Sequence, residues 1–281
     1  NTTLQLESPV NGWLPGDILI LPDSRQVNAS QALVNYKPQW EQLTVASVSG
    51  NTVTISSSKY LNTSKNTATS SSLAYDHNGV RDSAGTLRFL PHVGNITRNV
   101  ILRSENSAGV TGHVLFTQRA DVDIRYVNFQ EMTRTKFSTL NNTLFDAQGN
   151  PTQIGTNQIG RYALHFHHLA GPVSTPANGY QFTAIGNAFD GGWQDHGRKW
   201  MLAVHGSHYG LIEDNVVWNS GGAGIVTEDA SETENYFHRN FIVRVYGTGS
   251  RGDSRGVIDT APDLAHDGVG FWFRGPNNRI L

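Results

Sequence analysis

Three histidines fall within four positions of the stretch "GRYALHFHHLAG", at His165, His167 and His168. In an extended strand, side chains alternate between faces, so Leu164 and Phe166 share one face while His165 and His167 share the other. With the apolar pair in the core, both imidazoles point outward. A later phrase, "MLAVHG", repeats the pattern: Leu202 and Val204 face inward and His205 faces outward. If the two strands are neighbours, roughly 4.8 Å apart, imidazoles at i and i+2 of one and a single imidazole of the other can reach one divalent cation and leave a position open for water. His165, His167 and His205 are therefore candidate ligands of one divalent metal ion, of zinc or calcium type. The same residues could instead be polar surface groups bonded across strands.

A third phrase, "GIVTED", ends in Glu228 and Asp229. Adjacent acids usually point to opposite faces and are simply solvated. Beside a histidine cluster, one of them becomes a candidate general acid or base, with His205 as a further catalytic candidate. A glycosidase with two carboxylates would need a second acid, for which Asp195 and Asp214 are available. A lyase would need a base and a neutraliser for a uronate carboxylate, which a bound metal could supply. Arg161, Trp193, Arg198 and Trp200 offer cations and aromatic faces suited to an acidic sugar polymer. Core tryptophans with solvated charges account for them equally well. His113 could extend the histidine column as a supporting residue, whereas His196, His208, His238 and His266 read as surface or turn positions.

These residues need a scaffold that stacks like upon like, and the texture of the chain after residue 98 supplies one. Short apolar strands ("HVLFTQ", "YALHFHH", "WMLAVHG", "AGIVTED") are each followed by a phrase carrying an asparagine. These phrases are "DVDIRYVNFQ", "GYQFTAIGNAF", "YGLIEDNVVWNSGG" and "ENYFHRNFIVRVYG", with Asn128, Asn187, Asn215 and Asn240. The spacing approaches one turn of a parallel β-helix, and the asparagines read as a ladder. A sandwich shares the alternation and the glycine turns, but the repeat favours the solenoid. The loops Thr133 to Ile159 and Gly191 to Lys199 leave the repeat on one side, where solenoids often place a binding face.

Upstream, Trp13 to about Tyr60 alternates in the manner of strands, with a turn at Ser49-Gly50-Asn51, and the polar segment from Asn62 to Ser72 reads as an exposed loop. The predicted fold is all-β: a right-handed parallel β-helix over 99–281, preceded by a small β-strand domain or cap over 1–98. The 281 residues carry a formal charge of −2, which gives no push toward nucleic acid. No run of 18 apolar residues is present, so no membrane insertion is expected. Cysteine is absent, which excludes disulfides and thiolate metal sites. Sequons at Asn1, Asn28, Asn62, Asn95 and Asn141 permit secretion. The chain opens at Asn1 without methionine and stops in "NNRIL", as a piece of something longer would.

With these motifs in view, the sequence resembles the family of the cell-migration-inducing hyaluronidase, its transmembrane relative and the fibrocystin-like proteins. "GRYALHFHHLAG", "LAVHGSHYGLIEDNVVWNSGG", "TEDASETENYFHRN" and "GFWFRGPNNRI" are similar, in order, to family segments reading GRYP(I/V)HFH, TVHG with GLLIKD, EDG with RN, and FW with NPNN. "GWLPGDILILP" with "TVASVSGNTVTI" is similar to the latter part of the domain named for its eight glycines. Ala163 stands for the family proline and Ala230 for the glycine after the acidic pair. The resemblance implies an extracellular or cell-surface protein whose partner is a polysaccharide, hyaluronan-like or another acidic glycan, cleaved by hydrolysis or elimination. The alternative is a noncatalytic cell-surface or matrix module that is structural or binds glycan.

Overall fold

The structure, a computed structural model, describes residues 1–25, 37–62, 66–247 and 268–281. The sequon at Asn28 and His266 lie outside these residues. All regular structure among the described residues is β-strand, and no helix is long and apolar enough to cross a membrane. The chain divides into two units, Asn1–Thr97 and Arg98–Leu281.

In the first unit, Glu41–Ser49 and Thr52–Leu61 pair antiparallel about a turn in which Gly50 takes a φ of 59°. Ile18–Leu21 and Thr3–Gln5 flank this pair. Leu19, Leu21, Leu43, Val45, Val53 and Ile55 fill the core. The polar run read as a loop in fact contains a strand, Thr67–Ser70, paired antiparallel with Ser58–Leu61. Its pairing is made by backbone groups and needs no apolar side chain, which is why a hydrophobicity pattern misses it.

One buried carboxylate organises this unit. Glu41 accepts hydrogen bonds from the Ser58 hydroxyl, the Ala74 N–H (2.8 Å) and the Tyr75 N–H (3.3 Å). His77 places Nε2 2.7 Å from its second oxygen and Nδ1 2.9 Å from the Pro22 carbonyl. Burial raises the Glu41 pKa, but the bonds from His77, Ser58 and Ala74 outweigh it and hold the group below its ordinary value.

The second unit winds three parallel sheets. The first stacks Val114–Gln118, Leu164–Leu169, Leu202–His205, Ala223–Thr227 and Val269–Trp272. The second stacks Val122–Arg125, Phe182–Ile185, Gly210–Glu213, Tyr236–His238 and Arg279–Ile280. The third stacks Val100–Arg103, Val127–Gln130, Ala188–Asp190, Val216–Gly221 and Phe241–Tyr246. Each coil contributes one strand per sheet, the arrangement of a parallel β-helix. Inside, Leu164, Phe166, Leu202, Val204, Ile225, Phe182, Ile212, Phe129, Phe189 and Val217 form one column of packed side chains.

At the corner between the second and third sheets the asparagine ladder runs through Asn187, Asn215 and Asn240. Asn215 Oδ1 accepts from the Asn187 N–H (3.0 Å) and Nδ2 (3.1 Å), while its own Nδ2 donates to Asn240 Oδ1 (2.9 Å) and Ala184 O (2.9 Å). Asn128 is not a rung. It pairs with Ala188, one position past Asn187, so Val127 occupies the ladder register and donates its N–H to Asn187 Oδ1. A second, shorter ladder, Asn235 on Asn278 (3.1 Å), lies between the first and second sheets.

Two consequences can be measured. Asn215→Ala strands buried donors and an acceptor on both neighbouring coils and should cost about 3 kcal/mol in denaturant unfolding of the β-helix. Glu41 contributes stability that is present above the ordinary carboxyl pKa of 4.5 and is lost as pH falls through its depressed folded value. Glu41→Gln should therefore lower stability at pH 7 by about 2 kcal/mol and flatten the loss of melting temperature on acidification.

Candidate functional site

The outer wall of the first sheet carries the site because parallel register stacks its outward positions. His167 is level with His205, and the next residue in that row is Glu228, whose N–H donates to Val204 O. His165 is level with Ala203 and then Val226. These two small or slender neighbours pack with Tyr162, Trp200 and Trp272 in an outer apolar cluster, and Tyr162 brings that cluster against His165. The ring of Tyr162 lies 5.0 Å from that of His165 and 4.7 Å from that of Trp200.

His165 is consequently buried although it faces away from the coil interior. Its Nδ1 lies 2.8 Å from the Gly160 carbonyl, to which it donates, leaving the lone pair on Nε2. That Nε2 is buried and has no hydrogen-bond partner among the described residues. Burial drives the His165 pKa down to about 3, so the ring is neutral at physiological pH. Burial also lowers the pKa of His167, with the neighbouring His205, His168 and Arg161 adding to the effect.

His167 and His205 bring their Nδ1 atoms to 3.1 Å. Potential ligand atoms of His165, His167 and His205 all lie within 4.8 Å of one another. The two carboxylates hold opposite edges of the His205 ring. Asp229 Oδ2 is 2.8 Å from Nε2, while Glu228 Oε2 is 3.4 Å from Nδ1, on the side facing His167. With Nε2–H donated to Asp229, the lone pair of His205 is directed at His167 and Glu228. The Tyr162 hydroxyl reaches Glu228 Oε1 at 3.5 Å.

Three residues of this neighbourhood escape the alternation rule. His168 should face inward after His167, but the strand bulges there: Thr117 pairs with His167 and Gln118 with Leu169, and His168 takes a φ of 48°. The bulge returns Leu169 to the core and leaves His168 exposed, its ring 4.8 Å from that of His205. Tyr162, outside the strand, has no periodicity to reveal it. Glu232 is buried, and its Oε1 accepts from the N–H groups of Gly206 and Asp229, both at 2.9 Å, pinning the acidic turn to the turn after His205. Three histidines in four positions of a period-two strand are the one sequence signal that a bulge is needed.

The remaining candidates separate. Arg161 is half-buried beside the cluster. Arg198 and Trp200 are buried and offer no surface to a ligand. Arg198 donates to the carbonyls of Ser107, Glu131 and Gly191, fixing loops, and Trp200 packs among Tyr162 and Trp272. Trp193 sits edge-on to Trp218 at 5.1 Å with Arg244 over its ring, which places it with the third sheet and not at the histidine wall. Asp195 pairs with Arg244, and Asp214 forms a two-pronged pair with Arg239. Neither joins the cluster. The two loops meet, since Phe137 N–H donates to Gly197 O and Lys199 N–H to Thr135 O.

Ala230 follows the acidic pair with a φ of 68°, in the region that glycine occupies at little cost. Ala230→Gly should raise stability by about 1 kcal/mol in denaturant titration.

Residues 150–280 match the family described as CEMIP beta-helix. The matched span contains His165, His167, His168, His205, Glu228, Asp229 and Glu232, while the first unit and the first coil precede it. The β-helix is thereby similar to that of the CEMIP, hyaluronidase-like family.

Proposed function

We propose that the protein is extracellular and that its histidine wall binds and cleaves an acidic, hyaluronan-like polysaccharide with the help of one divalent metal ion. The observation that carries this reading is the buried, unpartnered Nε2 of His165, whose other nitrogen is committed to Gly160 O. An imidazole with one N–H donated to a carbonyl and its lone pair kept dry is the usual form of a metal ligand. Leaving that lone pair buried and unused would cost stability.

His165, His167 and His205 would hold the ion. Three imidazole nitrogens suit zinc or a similar transition metal, whereas calcium takes oxygen ligands. Such an ion, when bound, supplies a Lewis acid for a sugar oxygen and brings the pKa of water near neutrality. Asp229 orients His205 and fixes which nitrogen carries the proton. Glu228, within reach of His205 Nδ1 and the Tyr162 hydroxyl, would move a proton at the scissile bond. With Asp195 and Asp214 engaged elsewhere, Glu228 and Asp229 are the acids this site offers for either hydrolysis or elimination.

Metal content and chain-length reduction of an acidic polysaccharide panel should be measured together on wild type, His167→Ala and Glu228→Gln. His167→Ala should lose the metal and depolymerise at least about 100-fold more slowly. Glu228→Gln should keep the metal and lose turnover, and an unsaturated uronate product would mark elimination. A folded wild type that holds no metal and shortens no glycan would replace this reading with a noncatalytic matrix or cell-surface module.

A further inference from the structure

Beside the histidine wall the chain gathers positive charge that no carboxylate balances. Arg134 and Arg161 come from segments joined backbone to backbone: the N–H groups of Arg134 and Thr135 donate to Arg161 O at 2.7 and 3.2 Å, and the Arg161 N–H donates to Thr135 Oγ1 at 2.8 Å. The Arg161 guanidinium rests on the carbonyls of Ile159 and Gly160, each at 3.3 Å. Gly160 O is the same oxygen that accepts from His165. Arg161 therefore stands immediately next to the cluster.

Arg134 donates from one terminal nitrogen to Gly155 O at 2.9 Å, and its Nε is buried with no hydrogen-bond partner. His113, immediately before the strand Val114–Gln118 and half-buried, lies close enough to both arginines to feel their charge. Its pKa is lowered by burial, then by Arg161 and Arg134, and burial followed by the charge of Arg134 lowers that of Arg161. Among the described residues none of the three forms an ion pair with an aspartate or glutamate, whereas Arg244, also partly buried, pairs with Asp195.

Two half-buried arginines on adjoining segments, neither paired with a carboxylate among the described residues, make this a positively charged patch, and a guanidinium is suited to bind a carboxylate. We infer that Arg134 and Arg161, with His113 at their edge, form a subsite for the carboxylate of a uronate residue in the glycan bound at the neighbouring histidine wall. This rests on the proposed polysaccharide reading and deepens it: the anion anchors one sugar next to the cluster and selects uronate-bearing chains over neutral ones. It also assigns the cationic contact to Arg134, in a loop between the first two coils, rather than to the buried Arg198.

The test is equilibrium binding of hyaluronan oligosaccharides, their carboxyl-reduced counterparts and a sulfated glycan lacking uronate, to the full chain as wild type, Arg134→Gln, Arg161→Gln and His167→Ala. The inference expects wild type to bind the native oligosaccharide at least about tenfold tighter than the reduced one. Each arginine variant should lose most of that difference while binding the reduced form as wild type does, with its melting temperature retained, and Arg134→Lys should recover part of it. Binding in wild type should weaken with salt, and less so in the variants. His167→Ala should keep the preference. Equal binding of native and reduced forms, an unchanged preference in both arginine variants, or tighter binding of the sulfated glycan lacking uronate than of the native oligosaccharide would overturn it. Cleavage of a neutral glycan alone would overturn this inference while leaving the metal-assisted reading in place; uronate-selective binding without metal or cleavage would do the reverse.

Discussion

Each buried asparagine on the corner of the β-helix has hydrogen bonds that only the coils before and after it can complete. Asn215 takes two donors from Asn187 and gives one to Asn240, and it is fully buried, so a shift of one residue in register would leave those groups unpaired in a dry environment. The apolar column inside sets the same register for a different reason, because Phe166 and Val204, or Leu164 and Leu202, fill one layer only when level. Together they fix which side chains are neighbours on the outside, where nothing apolar enforces it.

The histidine wall is the outward image of that register. His167 lies over His205 because Leu164 lies over Leu202, three residues earlier on each strand. Small Ala203 and slender Val226 in the His165 row pack with Tyr162, Trp200 and Trp272, Tyr162 lies against His165, and burial keeps this outward histidine neutral. The acidic turn is then held against the wall by Glu232, through the N–H groups of Gly206 and Asp229. Packing, not local propensity, makes these imidazoles different from surface histidines such as His238, which pairs with Glu213 in the second sheet.

Much of this was legible in the sequence because it follows from period two and from repeat. Strand alternation put His165, His167 and His205 on one side, and stacking coils brought Glu228 and Asp229 to them. What alternation could not give came from departures from it. The bulge that exposes His168 is a single left-handed residue with no composition of its own, and Asn128 mimics a ladder residue while sitting one position late. Arg198 and Trp200 looked like a sugar platform in a loop, yet their burial depends on where the other loop closes over them. The strand Thr67–Ser70 was hidden because threonine and serine pair through backbone groups that carry no hydrophobic signal.

The proposed metal would sit on the dry nitrogen of His165. Anomalous diffraction at the zinc edge from crystals of the protein, purified without chelator and supplied with zinc, tests it directly. One peak is expected about 2.0–2.1 Å from His165 Nε2 and from one nitrogen each of His167 and His205. A peak confined to other ligands, or none at the wall in well-ordered crystals, would contradict it.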